Sequence, residues 1–420
     1  MAHEVADRVL AGTAPDLRRR VSRLTWLIQL HPVTILVLAP YAILVVPMAV
    51  AHDNPETGFI VMLLGLALTG TIVGEVVVRG RRRTRGQWQR ELEHANAGHP
   101  RLFLLARLVA VVSIAADLVG TLYGRGTIFT QLTGEAARSP VALVSSLFTG
   151  WRYVALALLV ASLVGGHARR SAFLRWTAAL VGIQVVLVLV TAISEPMIAY
   201  LSFVVAVTAI CGVLRPRHVV IVAAVLFLAW PTLYAVRNEI RADGGVHVAE
   251  EVTAAERLRF DLQVTLAADY DVPVDLNQPG PAEILRYGLV PRLLDPGRPP
   301  LSTGAAINDY LFGISTSSYT FLPVGTVYFL DGRRGVVLFY AFWAMVVGIL
   351  LRVRGGPGPV RLSCLALVVG GPLGWTSAYP DAMIGLIQHM VAASPLLLLI
   401  RLTRGSTAGR GPVTVGRLPA

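Results

Sequence analysis

Residues 57–78 read TGFIVMLLGLALTGTIVGEVVV, an apolar stretch in which Glu75 is the one ionisable side chain. A helix of about 20 residues crosses the hydrocarbon core of a bilayer, because each residue adds about 1.5 Å along its axis. Comparable blocks recur along the 420-residue chain, of which 55% is hydrophobic and only 15% charged. A soluble protein would carry about 25% charged residues. The pattern therefore predicts an all-α fold, a polytopic membrane helical bundle.

The apolar blocks predict about ten transmembrane helices. They are expected at residues 25–50, 57–78, 102–122, 141–165, 174–194, 196–214, 218–236, 335–351, 362–378 and 382–400. This arrangement divides the chain into four parts. An N-terminal bundle of about seven spans occupies 1–236, an extracytoplasmic loop 237–334, about three further spans 335–403, and a disordered cytoplasmic tail 404–420.

Arginines indicate the orientation of the bundle. All 37 basic residues are arginine, and the formal net charge is +12. With the N-terminus inside, 24 arginines fall on the inner side, 11 on the outer side and two within spans. Basic residues concentrate on the cytoplasmic side of membrane proteins. We therefore expect a multi-pass protein of a bacterial cytoplasmic (inner) membrane with both termini cytoplasmic, and the arginines need no nucleic-acid partner to explain them.

The long outer loop is expected to contain short helices. Residues 237–310 carry 7 Arg and 12 Asp or Glu, so this stretch is acidic while the inner side is basic. Apolar residues at helical spacing predict an amphipathic helix over 250–268, and Pro281 followed by Glu283 is typical of a helix start. Residues 310–330 are apolar but interrupted by Gly and Pro, which predicts a re-entrant or interfacial segment.

A proline-braced stretch of the loop, residues 287–300, reads YGLVPRLLDPGRPP and holds Arg292, Asp295 and Arg298. The planar fork of donors on arginine suits phosphate oxygens, and prolines lower the entropy cost of holding such a clamp in place. A rigid loop whose arginines reach lipid headgroups would have the same sequence. Arg237 and Arg241, at the outer end of the seventh span, are read either as contacts to a lipid-borne phosphate or as boundary anchors.

Hydroxyl side chains are dense between Asn308 and Tyr328. Such groups beside a membrane bind sugar hydroxyls or a diphosphate, although a turn that satisfies its own backbone has the same composition. The candidate glycan-binding residues are Asn308, Tyr310, Ser317, Ser318 and Tyr319.

Ionisable residues within spans are costly in lipid and usually face the bundle interior. Glu75, Arg107, Asp117, Arg152 and His389 fall into this class. We expect mainly structural roles for them, with Asp117 and Arg107 pairing with neighbours such as Arg152; a proton relay is the alternative.

Metal, nucleotide and hydrolase motifs are not found in the sequence. Cys211 and Cys364 lie in apolar blocks outside any His/Cys cluster, so neither a metal site nor a cofactor is predicted. The chain lacks a Walker A sequence, GxSxG and HExxH.

The C-terminal half resembles the O-antigen polymerase (Wzy-type) family, also described as oligosaccharide repeat-unit polymerases. The likeness covers about residues 190–350. In chain order it comprises a span ending in Arg237, a long outer loop, Val290-Pro-Arg292…Pro-Gly-Arg298-Pro, and a Ser/Thr-rich segment leading through Gly325 and Tyr328 to Asp331-Gly-Arg-Arg-Gly335 and a span. Where many members carry a Gly-Ser-Arg motif, this chain reads Thr191-Ala-Ile-Ser-Glu195-Pro-Met, without arginine.

The resemblance implies transfer of a growing glycan from undecaprenyl diphosphate to an incoming lipid-linked repeat unit. Such a reaction needs cations for the departing diphosphate and a base for the acceptor hydroxyl. Arg292, Arg298, Arg237 and Arg241 are the candidate diphosphate contacts. Asp309, Asp295 and Glu239 are the candidate bases. Membrane lipids, a flippase and a chain-length regulator are the further partners that the resemblance implies.

Three other functions remain open from the sequence. A ligase that moves finished glycan to another acceptor would share the arginines. A glycosyltransferase using a polyprenyl-phosphate sugar would place its acid in the first outer loop, at Asp53 or Glu56. A transporter, which belongs to a different class, would depend on Asp117 or Glu75.

Overall fold

The computed structural model describes residues 23–78, 86–123, 139–191, 193–214, 216–243, 253–290, 294–295, 297–299, 302–314, 318–352 and 355–402. Every regular element in these stretches is helical, which confirms the all-α fold. The predicted tail at 404–420 lies outside the described residues. The helices are α1 (Arg23–Leu30), α2 (Thr34–Ala51, with two π-helical turns), α3 (Thr57–Val77), α4 (Gln87–Ala97), α5 (Leu102–Leu122), α6 (Pro140–Leu147), α7 (Trp151–Val164), α8 (Arg170–Thr191), α9 (Glu195–Ile210), α10 (Pro216–Asp243), α11 (Phe260–Thr265), α12 (Pro281–Leu289), α13 (Thr303–Phe312), α14 (Leu322–Leu351), α15 (Pro359–Gly370) and α16 (Asp381–Leu402).

Within the described stretches, seven helical segments are long and apolar enough to cross a bilayer. They are α2, α3, α5, α6 with α7, α8, α14 and α16. Each overlaps a predicted span, and α5 coincides with the span predicted at 102–122. Three more predicted spans correspond to α9, α10 and α15, of which α9 and α15 are shorter apolar helices. The total of ten spans therefore remains a prediction.

Helix ends that are far apart in the sequence meet at one end of the bundle. The Gln29 side chain donates a hydrogen bond to the carbonyl of Ile210 at 3.3 Å. The Asn96 amide donates to the carbonyl of Pro357 at 3.1 Å. The end of α9 and the start of α15 therefore lie at this end.

The opposite end, which we call the loop end, carries the described residues between 253 and 314. Here Asn54, between α2 and α3, donates to the Asp261 carboxylate at 2.9 Å. The Thr303 amide donates to Asp381 at 2.6 Å. Because α16 starts here and α15 starts at the other end, the chain crosses the bundle between them.

Small residues bring α3 and α14 into close contact. Gly70 and Gly74 form a GxxxG pair, and both face α14. A Cβ at Gly70 would lie 3.1 Å from the Ala341 nitrogen, and one at Gly74 would lie 2.9 Å from the Ala344 Cβ. Small residues at this spacing let membrane helices approach until their backbones touch. The pair fixes the position of α14, whose first residue reaches the functional site described below.

The buried carboxylate of Glu75 caps the start of α2. It is 2% exposed, accepts backbone N–H groups from Val33 (3.2 Å) and Thr34 (3.4 Å), and contacts the His31 ring at 2.7 Å. Backbone donors at a helix start have no partner within the helix. Glu75 therefore supplies acceptors to the start of α2, as expected of a structural residue.

The loop differs from its prediction in one element. Instead of one amphipathic helix over 250–268, its described part comprises a 3₁₀ turn at Glu256–Leu258, α11 and a second 3₁₀ turn at Leu266–Asp269. The break occurs because Arg259 has a non-helical backbone and turns its guanidinium onto Asp261 at 2.7 Å. The predicted helix at Pro281 is confirmed as α12, with the Glu283 side chain accepting the Gly280 N–H at 2.9 Å.

One of the two proposed loop borders falls within a continuous helix. The segment expected to be re-entrant, 310–330, contains the end of α13 and the first turns of α14. At Gly332 (φ +67°) the backbone is non-helical, so α14 consists of two helices joined at a kink, and the second of them corresponds to the span predicted at 335–351. By contrast, α10 runs past residue 236 to Asp243, so the border at 236 marks no change of element.

Candidate functional site

A cavity of about 400 Å³ opens at the loop end where several helix ends meet. Its walls come from the start of α9, the C-terminal half of α10, the turn before α11, the starts of α13 and α14, and the turn leading into α16. Volumes of this order are typical of small-molecule sites. The walls are drawn from distant parts of the chain, so only the tertiary fold creates the site.

Two cations face the cavity from one helix. Arg237 and Arg241 are four residues apart on α10, so they share a face. Arg237 is only 6% exposed, and its guanidinium lies over the Tyr234 ring at 5.5 Å. Both are among the predicted diphosphate contacts, and the structure places them together.

Two carboxylates complete the charged lining. Asp381, the first residue of α16, accepts the Thr303 N–H. Glu195, the first residue of α9, accepts a hydrogen bond from the Thr376 hydroxyl. Each stands in the first turn of its helix, where the macrodipole favours a negative charge. Neither was among the predicted bases, although each directly precedes an apolar block on the expected outer side, a signal that could have found both.

Glu195 has an unusual electrostatic environment. Its side chain is exposed to the cavity, but the protein around that cavity desolvates the carboxyl and raises its pKa. The hydrogen bond from Thr376 and the guanidinium of Arg152 act in the opposite direction. Opposing influences of this kind are found where a carboxyl exchanges a proton.

Aromatic rings and hydroxyls provide the remaining walls. Trp230 donates its indole N–H to the carbonyl of Ala254 at 2.8 Å, which fixes the ring at the cavity edge. Trp375 is held between Tyr41 (4.8 Å) and Phe260 (5.8 Å). The hydroxyl-bearing lining residues are Ser194, Ser302, Ser318, Tyr319, Thr320 and Thr376.

Of the predicted glycan-binding residues, Ser318 and Tyr319 line the cavity. Asn308 is instead buried, and its amide donates to the carbonyl of Ile314 at 2.6 Å, closing the turn after α13. Tyr310 packs against the rings of Tyr270 and Phe329. Ser317 lies outside the described residues.

The three predicted bases lie away from the cavity lining. Asp309 and Glu239 are exposed and do not border it. Asp295 pairs with Arg286 at 2.9 Å. In the described part of the chain, Asp295 therefore holds the loop against α12.

Arg298 also contacts α12. It donates to the carbonyl of Tyr287 at 2.7 Å, and its guanidinium lies over that ring at 4.7 Å. The stretch predicted as a phosphate clamp thus uses Arg298 to attach itself to α12. Arg292 lies outside the described residues.

A polar network lies behind the cavity, inside the bundle. Arg152 on α7 donates to Gln184 on α8 at 2.9 Å and lies 3.8 Å from Asp117 on α5. Gln184 in turn donates to Asp117 at 3.2 Å. The expected pairing of Asp117 with Arg152 is confirmed. Arg107 instead packs over the rings of Phe103 and Trp176.

The first outer loop does not contribute to the cavity. Asp53 and Glu56 are exposed and absent from its lining. Among the described residues, no group of three or more His, Cys, Asp or Glu side chains is arranged to hold a metal ion. The chemistry available at the site is therefore that of arginines, carboxylates, hydroxyls and indoles.

Comparison of the whole chain with protein-family models, with curated proteins and with solved structures gives no significant match.

Proposed function

We propose that the protein is a membrane glycosyltransferase that polymerises oligosaccharide repeat units carried on undecaprenyl diphosphate at the outer face of the bacterial cytoplasmic membrane. The observation that carries the proposal is the convergence of Arg237, Arg241 and the hydroxyl-rich segment at Ser318 and Tyr319 on one cavity. The same residues were selected from the sequence for phosphate and glycan contacts.

The arginines suit the diphosphate of the lipid carrier. A guanidinium offers paired donors that match phosphate oxygens, and its charge is permanent. Negative charge develops on the diphosphate as the glycosyl bond breaks, and fixed cations stabilise that charge. Because Arg237 is largely buried, water screens its field less than it would at an open surface.

The rest of the lining suits a sugar and a lipid. Hydroxyls at Ser302, Ser318 and Thr376 offer donors and acceptors to sugar hydroxyls, while Trp230 and Trp375 offer flat apolar faces. Apolar residues at Ile193, Ile198, Leu258 and Leu322 also border the cavity. This combination fits the junction between a glycan and a polyprenyl chain.

The other functions receive less support from the geometry. A polyprenyl-phosphate-sugar enzyme with its acid in the first outer loop would need Asp53 or Glu56 at the cavity, and neither lines it. A transporter would need Asp117 or Glu75 available to its solute. Asp117 is engaged with Arg152 and Gln184, and Glu75 caps α2.

Binding of undecaprenyl diphosphate to purified protein in lipid nanodiscs tests the proposal. Loss of a charged hydrogen bond costs about 1.5–3 kcal/mol, so Arg237→Ala or Arg241→Ala should weaken binding by about 10- to 100-fold. Arg237→Lys should recover only part of the wild-type affinity, because lysine lacks the planar set of paired donors that a guanidinium presents. Arg334→Ala is the matched control, since Arg334 is exposed at the same end and outside the cavity lining.

Glycan polymers from a deletion strain carrying each variant provide the second measurement. Both alanine variants should shorten the polymer, while Arg334→Ala should leave it unchanged. Wild-type binding together with wild-type chain length in both alanine variants would contradict the proposal. Lipid-linked long chains that persist after deletion of the gene would instead indicate a ligase.

A further inference from the structure

The two carboxylates of the cavity differ in the hydrogen bonds that they accept. Asp381 accepts the backbone N–H of Thr303 and thereby joins α16 to the start of α13. Glu195 accepts only the Thr376 hydroxyl among the described residues, and that bond engages one oxygen, Oε1. The other carboxylate oxygen, Oε2, accepts no hydrogen bond from the described residues, and the residue itself lines the cavity.

Arg152 provides a fixed positive charge behind Glu195. Its guanidinium is held by Gln184 and Asp117, and it lies over the rings of Tyr153 (5.1 Å) and Tyr200 (5.7 Å). These contacts come from three neighbouring helices and from α7 itself. Tyr200 lies five residues after Glu195 on α9, so the guanidinium over its ring lies near the start of that helix and interacts electrostatically with the Glu195 carboxylate. A cation anchored in this way cannot swing into the cavity to bind substrate, so its effect on the site is exerted through Glu195.

We infer that Glu195 accepts the proton of the acceptor hydroxyl and that Arg152 is a positioning residue that holds this carboxylate in its charged form. This assignment rests on the proposed function. The acceptor O–H gives its proton to the Glu195 carboxylate, and the oxygen electron pair forms the bond to the anomeric carbon of the donor glycan. The bond from that carbon to the diphosphate oxygen breaks, and its electron pair leaves on the diphosphate beside Arg237 and Arg241. Glu195 then releases the proton to water.

Other charged groups face Glu195 as well. Arg237 and Arg241 lie on the α10 wall of the cavity and Asp381 on the α16 wall, while Asp117 stands behind Arg152. The cation whose field acts on the Glu195 carboxylate is Arg152. Because Arg152 is anchored by Gln184 and Asp117 and does not line the cavity, a diphosphate bound there leaves its charge in place.

Glu195→Gln tests the first half of the inference. Glutamine has the same shape and can still accept the Thr376 hydrogen bond, but it cannot take a proton at neutral pH. General-base catalysis contributes about 10²- to 10⁴-fold, so polymer synthesis should fall at least about 100-fold while binding of undecaprenyl diphosphate stays within about twofold. Glu195→Asp should retain partial activity. Asp269→Asn, an exposed carboxylate outside the cavity, is the control.

The pH profile of polymer synthesis tests the second half. Wild-type activity should decline as the pH falls, because Glu195 becomes protonated. In Arg152→Gln the acidic limb should move to higher pH, since a nearby opposite charge lowers a carboxyl pKa. Arg152→Lys should restore much of the wild-type profile. A purely structural role would lower activity at every pH without moving the limb.

The outcomes distinguish an error in the roles of Glu195 and Arg152 from an error in the proposed function. If Glu195→Gln polymerises like wild type while Arg237→Ala does not, the base is elsewhere and the proposed function stands. If Arg237→Ala and Arg241→Ala also bind and polymerise normally, the proposed function itself fails. An unmoved acidic limb in Arg152→Gln would overturn the role of Arg152 alone.

Discussion

Replacing Gly74 with alanine tests whether the contact between α3 and α14 stabilises the membrane bundle. A Cβ built on Gly74 meets the backbone carbonyl of Ala341 and lies 2.9 Å from the Ala344 Cβ. A backbone oxygen cannot turn aside as the tip of a side chain can, so the helices must separate. Overpacking of this kind costs about 1–3 kcal/mol.

Gly65 provides the matched control for this substitution. It lies on the same helix, but a Cβ there meets no heavy atom within 4 Å. Both substitutions gain the same helix propensity, up to about 1 kcal/mol. The difference between the two variants therefore isolates the steric cost, which corresponds to about a 5- to 150-fold change in the unfolding equilibrium.

Unfolding of the purified protein by dodecyl sulfate in mixed micelles, followed by tryptophan fluorescence, measures this difference. Gly74→Ala should unfold at a lower denaturant fraction than wild type, and Gly65→Ala at an equal or higher one. Coincident unfolding curves for the two variants would refute the close-packing argument, because the only property in which they differ is the contact with α14.

Three further predictions concern the loop and the cap of α2. Burial alone would raise the pKa of Asp261, but hydrogen bonds from Arg259 and Asn54 outweigh it and hold that pKa below its usual range. The charged Asp261 carboxylate therefore stabilises the loop fully above the unfolded pKa of about 3.9, and this stabilisation is lost as the pH falls through the folded pKa. Limited proteolysis should consequently cut the loop faster in acid, and Asp261→Asn should remove this pH dependence. Glu75→Ala leaves the Val33 and Thr34 N–H groups buried without their acceptor and should cost about 1–3 kcal/mol in the dodecyl sulfate titration, whereas Glu75→Gln should cost less. Arg298→Ala should detach residues 297–299 from α12 and make this part of the loop more sensitive to proteases, but it should weaken undecaprenyl diphosphate binding less than Arg237→Ala does. A loss of affinity equal to or larger than that of Arg237→Ala would show that Arg298 belongs to the binding site.

The fold was predictable because few backbone structures can cross a bilayer. Backbone groups must be satisfied within each span, so an apolar block of sufficient length becomes a helix, as α3 and α5 show. Boundaries were less predictable where the tertiary fold decides them. For example, α10 continues past the predicted border at 236 to Asp243, which places Arg237 and Arg241 on a helix.

The candidate site was predictable only where its residues lie close together in the sequence. Arg237 and Arg241 share a helix face, and Ser318 and Tyr319 are neighbours, so local patterns identified both pairs. Glu195 was not among the predicted site residues, because its neighbours Thr376 and Arg152 are far from it in the sequence.

The same limit explains the residues that were placed elsewhere. The pattern around Arg298 predicted a phosphate clamp; in the structure Arg298 donates to the carbonyl of Tyr287 on α12 and interacts electrostatically with Asp381 of the cavity. Asp295 likewise faces Arg286. A sequence shows that a charged group is present, whereas the fold determines whether that charge faces substrate or a neighbouring helix.

The side-chain charges of the cavity alone understate its preference for an anion. Arg237 and Arg241 are formally balanced by Glu195 and Asp381. However, α9, α13 and α16 all begin at the cavity, and each helix start carries partial positive charge on its unpaired N–H groups. The two carboxylates occupy first turns and offset part of that field, and Asp381 is directly hydrogen-bonded to the start of α13. The helix starts therefore add positive charge beside the arginines, and under the proposed function this field favours a diphosphate on the α10 side while a charged carboxylate remains on the α9 side to receive a proton.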